Sequence, residues 1–501
     1  MGHNVDIAAL KQVDVQVLSF NALLASGAKL ALDNYQRPYV WTQEKIHQLL
    51  DDLNEFHHKS DQSIYYLGSL LLHRTVDGMF VIDGQQRLSS LAVLYYSLKG
   101  KLPENLAFHY RSPISVKNLR IAQQIIQQAK PDFNQEIFDK LQFTVIVVDR
   151  EDLAFTFFDT QNNRGVPLNA TDLLKAYHLR AIRNDVPEQG EALQMQCAKR
   201  WEDVQLGGGK SEEGVKKDFA PELFHTYLWR ARHWIGQNDN QYERHDLILE
   251  SFQHQSIQPL KIDEVPLYAG RSNTFARTLS LDTNNEYRLT LNPVAISENP
   301  ILLPFELRQP IHKGVGFFLY AQKYAALLNE LFYSDRPSKP LMQFRVFYQQ
   351  VVQANSYYLR ELFKLAALMY YDQFAEFRLL EFSQRLELVF GAIRLDKKYI
   401  FQQAQLKYLK ESQLNIFNVI NSSYRPDEVM QYLKKDRVLL ASYHRITVEQ
   451  QKEDVKIICN KGVQGRYLAA LFNYYDLDDL PKSTDYWDQQ IKLKNKDLAD
   501  V

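Results

Sequence analysis

Apolar positions in the first 190 or so residues switch between a two-residue and a three-to-four-residue period, predicting short strands alternating with helices. Val13, Val15 and Val17 alternate as a strand, with Ser19 or Asn21 capping a helical turn after it. Lys29 to Leu32 reads as a second strand. Thr42 is a good N-cap for a helix whose apolar face is Ile46, Leu49, Leu50 and Leu53. Tyr65 to Leu72 predicts a strand, and the turn at Val76-Asp77-Gly78 folds it back as a hairpin on the strand Phe80 to Ile82. Leu88, Leu91, Tyr95 and Leu98 then fall on one helical face. Phe143 to Val148 is a further strand, Leu153 to Thr160 a helix, and Leu173, Leu174, Tyr177 and Leu179 mark another, capped by Asn169 or Thr171.

From about residue 190 the period is almost wholly helical. One helix ends at Trp201 to Leu206, followed by a glycine-rich linker, and an irregular polar interval lies at about 255–300. A long helical run is expected from Tyr357 to Leu395, with one stripe at Leu362, Leu365, Leu368 and Met369 and another at Phe382, Leu386 and Val389. Tyr424-Arg425-Pro426 breaks a later helix, and Gly465 to Leu471 begins another. The division expected from this pattern is a sheet-bearing domain at 1–205, a linker at 206–218, a helical domain at 219–400 and a C-terminal helical domain at 401–501.

Three polar loops interrupt the first region. Asn34 to Trp41 carries Arg37 next to Pro38, which holds it extended. Asp83-Gly84-Gln85-Gln86-Arg87 lies between a strand and a helix, where unpaired N–H groups and the positive dipole end favour an anion. Gln161 to Leu168 contains Asn162, Asn163 and Arg164. Each arginine taken alone reads better as an independent surface or capping residue. Converging, three guanidiniums, a carboxylate and several amides make a polyphosphate site.

Composition narrows the classes. The 501 residues suffice for two or three cores, are rich in tyrosine (29) and phenylalanine (28), and carry a net charge of -1, so no global positive field draws the chain to nucleic acid. The cysteines Cys197 and Cys459 have no metal-type spacing, and no run approaches membrane-spanning length, so a cytoplasmic protein is expected. Zinc, EF-hand, dinucleotide-fingerprint and nucleophile-elbow spacings do not occur. Gly209-Lys210-Ser211 imitates the end of a P-loop but follows a helix, and Val204 stands where its first glycine belongs.

Tyr35-Gln36-Arg37-Pro38-Tyr39-Val40-Trp41, Leu67-Gly68-Ser69, Val81-Ile82-Asp83-Gly84-Gln85-Gln86-Arg87 and Asn162/Asn163-Arg164-Gly165 occur together in order. Over about residues 10–185 they resemble the N-terminal domain of GmrSD-type, modification-dependent (type IV) restriction systems. The resemblance implies an α+β fold: a ParB/sulfiredoxin-like mixed small sheet with helices, here followed by a large all-α region. It also implies a nucleotide site in which Asp83, Gln86 and Arg87 are catalytic. Arg37, Gln36, Gly84, Gln85, Asn162, Asn163 and Arg164 would bind the nucleotide, and Asp83 would hold Mg or position water. The arginines would meet phosphate oxygens.

Many members of that family end in an HNH nuclease domain. Gly465 to Asn473 is similar to its approach helix, but no histidine motif follows before Val501, and His444-Arg445-Ile446-Thr447 lacks the context. The expectation is therefore the NTP-binding, NTP-hydrolysing sensor subunit of a phage-defence system that recognises foreign or modified DNA. It would act with a separate HNH-type nuclease subunit, and self-association is left open. A nucleotide-sensing module without turnover is the alternative. Direct DNA cleavage ranks lowest, because one carboxylate is thin support for a two-metal nuclease.

Overall fold

The computed structural model describes residues 13–32, 36, 38–59, 64–75, 78–110, 112–150, 169–182, 187–208, 218–237, 241–268, 277–281, 287–291, 299–397, 399–435, 462–477 and 484–500. The chain divides into two compact units, Met1–Leu179 and Arg180–Val501.

In the first unit the two-residue period produces six strands: β1 (Val13–Ser19), β2 (Leu30–Leu32), β3 (Tyr65–Thr75), β4 (Gly78–Asp83), β5 (Leu106–Ala107) and β6 (Leu141–Val148). They form one mixed sheet in the order β1-β6-β3-β4-β2-β5. β1 runs antiparallel to β6 and β3 antiparallel to β4; β3–β6, β2–β4 and β2–β5 are parallel. The helices are α1 (Phe20–Ala25), α2 (Gln43–His58), α3 (Gln85–Lys99), α4 (Pro113–Ala129), α5 (Ile137–Lys140) and α6 (Ala170–Arg180). The α+β expectation holds.

Local chemistry accounts for these elements. Ser19 rather than Asn21 caps α1, its Oγ accepting from Ala22 N at 3.1 Å. The four apolar positions read for α2 are all buried, and they join Leu70, Leu72, Leu88, Leu91 and Leu94 in one core with alternate residues of β6. In α3, Leu94 is buried while Tyr95 and Leu98 are only half-buried. β1 is an edge strand, so its alternating Val15 and Val17 stay 58% and 60% exposed. Asn169 closes α6, accepting from Thr171 N at 3.4 Å.

The second unit is largely helical, with its principal helices at Pro187–Leu206, Val315–Phe332, Lys339–Gln350, Tyr357–Phe374 and Leu379–Asp396. Its boundary lies earlier than the expected 205. Trp201 stacks on Phe317 with ring centroids 5.6 Å apart and meets Phe224 at 5.7 Å, so the helix ending at Leu206 packs against residues C-terminal to it. Glycine content marks the flexible stretch, whereas packing decides where the unit begins. The regions expected as separate at 219–400 and 401–501 fall within this one unit. The run from Tyr357 to Leu395 is two helices, broken where Ala375 and Arg378 take φ of 50° and 55°. The polar interval contains an antiparallel hairpin, Arg277–Leu281 with Tyr287–Leu291, so the region is not all-α. Many of the aromatic residues go into the core: Tyr370 stacks on Phe382 at 3.9 Å and 10°. Buried ion pairs join Lys323 to Asp372 at 2.7 Å and Arg230 to both Glu243 and Glu361 at 2.6 and 3.0 Å. No described helix is long and apolar enough to cross a membrane.

Candidate functional site

β4 ends at Asp83, Gly84 follows with φ 100°, and α3 begins at Gln85. The left-handed residue turns the chain from strand to helix in one step, a conformation that favours glycine. The first intrahelical bond runs from Leu88 N to Gly84 O at 3.0 Å, so the N–H groups of Gln85, Gln86 and Arg87 precede the ladder. The Asp83 and Arg87 side chains, 32% and 24% exposed, face each other one turn apart with Arg87 Nη2 3.3 Å from Asp83 Oδ2. Arg87 Nη1 donates to Leu67 O at 2.6 Å. Leu67 adjoins Gly68, whose φ of +90° lies where β3 slips register against β6, and a Cβ there would sit 2.5 Å from Arg87 Nη1. The Leu67-Gly68-Ser69 stretch thus owes its glycine to the guanidinium lying over it.

Gln36 and Gln86 form two arms of a brace. Gln36 Nε2 donates to Val81 O at 2.8 Å and Ile82 O at 3.0 Å, next to Asp83. Gln86 is buried; its Oε1 accepts from Val40 N at 2.9 Å and its Nε2 donates to Pro38 O at 3.0 Å. Both ends of the Gln86 amide therefore hold backbone, and the side chain expected in catalysis does a positioning job. Gln86→Ala is expected to lower the unfolding free energy of the first unit by about 1–3 kcal/mol, the cost of stranding buried polar groups. Urea denaturation checks this, and a midpoint matching the wild type would refute it.

Gln85 is buried beside Tyr110, whose hydroxyl also meets Ser89 and whose pKa burial raises. Tyr39 is fully buried with its hydroxyl 2.7 Å from Ser90 Oγ, and burial pushes it up to about 12, so it stays a neutral phenol. Tyr39 N donates to Ser115 Oγ at 2.9 Å, and its carbonyl accepts from Asn118 at 3.0 Å. Residues read as loop are thus stitched to β4, α3 and α4. Arg37, Asn162, Asn163 and Arg164 lie outside the described residues.

Lys175 was not among the sequence candidates. It is buried on α6, and its Nζ donates to Gln36 O at 2.8 Å. The signal was present: Thr171, Lys175 and Leu179 fall four residues apart on one buried face, where a lysine needs a polar partner. Among the described residues no group of three or more histidine, cysteine or acidic side chains is placed to hold a metal. A lone carboxylate can still hold Mg when phosphate oxygens and water supply the other ligands.

Residues 20–179 match the GmrSD restriction endonuclease, N-terminal domain, and end where the first unit ends. The sheet-bearing unit is therefore a restriction-system domain of that class. Residues 193–446, just over half of the chain, match a family of unknown function (DUF7834), and the chain belongs to that family. No curated protein matches the chain.

Proposed function

We propose that the first unit binds a nucleoside triphosphate at the Asp83–Arg87 turn and hydrolyses it, and that the chain is the nucleotide-dependent sensor of a restriction system acting on foreign or modified DNA. Cutting belongs to a nuclease subunit of HNH type. The observation that carries this reading is the pairing of Asp83 with Arg87 across a strand-to-helix turn at 3.3 Å, both side chains still reachable from solvent. A polyphosphate entering the turn exchanges one partner for another: Arg87 turns from the carboxylate to phosphate oxygens, and Asp83 is released to hold Mg or orient water. Bound Mg would supply charge neutralisation on the phosphates, held by Asp83 on the protein side. Gln86 and Lys175 act by position, tying Pro38 and Val40 to α3 and Gln36 to α6 beside the same turn. Arg37, Asn162, Asn163 and Arg164 complete the phosphate contacts in this proposal.

The expected result is phosphate release from ATP or GTP by the purified chain with Mg. Asp83→Ala and Arg87→Ala should each lower the rate at least about a hundredfold, the range seen when a group stabilising developing charge is removed. Circular dichroism should show both variants folded. Normal turnover in both would overturn the site assignment. The single carboxylate favours one further reading, a nucleotide switch without turnover, in which differential affinity alone shifts the chain between states. Tight nucleotide binding with no hydrolysis, even with DNA and the nuclease present, would select it.

A further inference from the structure

The second unit contains a cleft of about 940 Å³ whose lining includes Tyr357, Arg360, Arg394, Tyr399, Phe401 and Arg466. Its walls come from separate elements: the first turn of Tyr357–Phe374, the last turn of Leu379–Asp396, the segment after it, and the helix Gly462–Tyr475. Among the described residues three guanidiniums line it and no carboxylate does, in a chain whose net charge is only -1. Acids do lie near its walls: the exposed Asp396 follows Arg394 by two residues, and Glu361 pairs with Arg230 at 3.0 Å while also accepting from the Tyr357 hydroxyl. Glu387 lies behind Asn355, accepting from its Nδ2 at 2.7 Å, and is fully buried, where desolvation raises its pKa to about 8 and favours the neutral acid.

The rings are equally distinctive. Tyr357, Tyr399 and Phe401 are 59%, 67% and 69% exposed, in a unit that buries most of its aromatic side chains. Tyr399 and Phe401 lie with ring centroids 6.5 Å apart, and the Arg360 guanidinium sits 6.0 Å over the Tyr357 ring. Arg394, by contrast, is 2% exposed and fixed: its Nη2 donates to Lys397 O at 2.5 Å. Gln464 Nε2 in turn holds the carbonyls of Arg394, Leu395 and Lys397 at 3.3, 3.1 and 3.1 Å. A buried, fixed guanidinium and solvent-facing rings lining one cleft suit a ligand with an anionic end and a flat apolar end.

We propose that this cleft binds a nucleoside phosphate unit, the phosphate at the arginines and the base against the aromatic residues. Arginine and exposed rings together are the means by which single nucleotides and unpaired strands are held without base-edge readout. The cleft falls within the size of known small-ligand sites, about 300–1,000 Å³. The unit has two sources, a free nucleotide or one residue of a single-stranded nucleic acid. This site is separate from the Asp83 turn, and its test does not depend on hydrolysis.

The experiment uses the full chain carrying Arg87→Ala, titrated in EDTA, so that the phosphate contact and the Mg proposed for the first unit are both removed. A fluorescein-labelled thymidine hexanucleotide is titrated by anisotropy, and deoxythymidine monophosphate and poly-glutamate serve as competitors. Expected is saturable binding that weakens at least tenfold in Arg466→Glu and at least threefold in Phe401→Ala, two exposed positions whose replacement leaves the core alone. The slope of log Kd against log salt should also fall by about one in the arginine variant. Competition by the monophosphate at similar affinity assigns the site to free nucleotides; binding of the hexanucleotide alone assigns it to a strand. Either supports the proposal. It is overturned by failure of both probes to bind at millimolar concentration, by binding indifferent to both substitutions, or by equally tight displacement by poly-glutamate, which would mean the rings recognise nothing.

Discussion

Gly84→Ala is expected to disrupt the strand-to-helix turn more than any nearby single substitution. Gly84 has φ 100°, and a Cβ built there lands on Leu70 Cδ2, a fully buried side chain of β3. A left-handed backbone costs an L-residue about 1–2 kcal/mol, and forcing a methyl into a packed core about 1–3 more, so the loss should be about 2–5 kcal/mol. Hydrogen-exchange protection along β4 and α3 should drop together, because the turn holds both. Protection equal to the wild type would show that the turn relaxes freely. Gly68→Ala is the contrasting case. There the added Cβ meets the far end of Arg87, which can swing away, so stability should fall less while Leu67 O loses its donor and the Asp83–Arg87 pair is disturbed.

The second large effect is a pH dependence centred on Glu387. Its carboxyl is buried and its pKa lies at about 8 against an ordinary 4.5; desolvation is the main cause, opposed by hydrogen bonding. Because the folded value is the higher one, the folded state keeps a proton that the unfolded chain releases. Stability from this group is fully present below about pH 4.5 and falls by about 1.4 kcal/mol for each unit up to about pH 8, a loss of a few kcal/mol in all. Glu387→Gln keeps an acceptor for Asn355 and should flatten that part of the profile, leaving the variant the more stable protein at pH 8. Urea unfolding followed by tryptophan fluorescence reads this, since Trp201, Trp229, Trp234 and Trp487 of the five tryptophans lie in the second unit. Parallel profiles for the two proteins would show that Glu387 ionises freely.

The elements were legible wherever a short-range pattern dictates them. The alternation of β6, the apolar face of α2 and the Asp-Gly turn before α3 are local signals, and the sheet is built on them. The chain break at Ala375 to Arg378 was not legible, because neither residue type announces a positive φ and the apolar stripes run on across it. The hairpin Arg277–Leu281 with Tyr287–Leu291 lay hidden in a polar interval whose alternation is weak. At the site, Asp83 and Arg87 were readable as polar residues around a strand-to-helix turn, and Gln36 as part of a polar loop. What could not be read was direction. Gln86 has the same amide as Gln85, and only the fold determines that it turns inward to Pro38 and Val40. Lys175 looked like an ordinary helix residue until its partner, the Gln36 carbonyl, came from 139 positions away.

The brace between Gln36 and Gln86 bears on how this domain can be rebuilt. Each glutamine sits on one segment and grips the backbone of the other: Gln36 takes Val81 O and Ile82 O, and Gln86 takes Pro38 O and Val40 N. Segments 36–40 and 81–87 therefore form one exchangeable cassette rather than two. A chimera that imports only one of them from a relative with a different residue at either glutamine position receives half of a clasp, whereas transplanting both together carries the loop and the turn across in their working register.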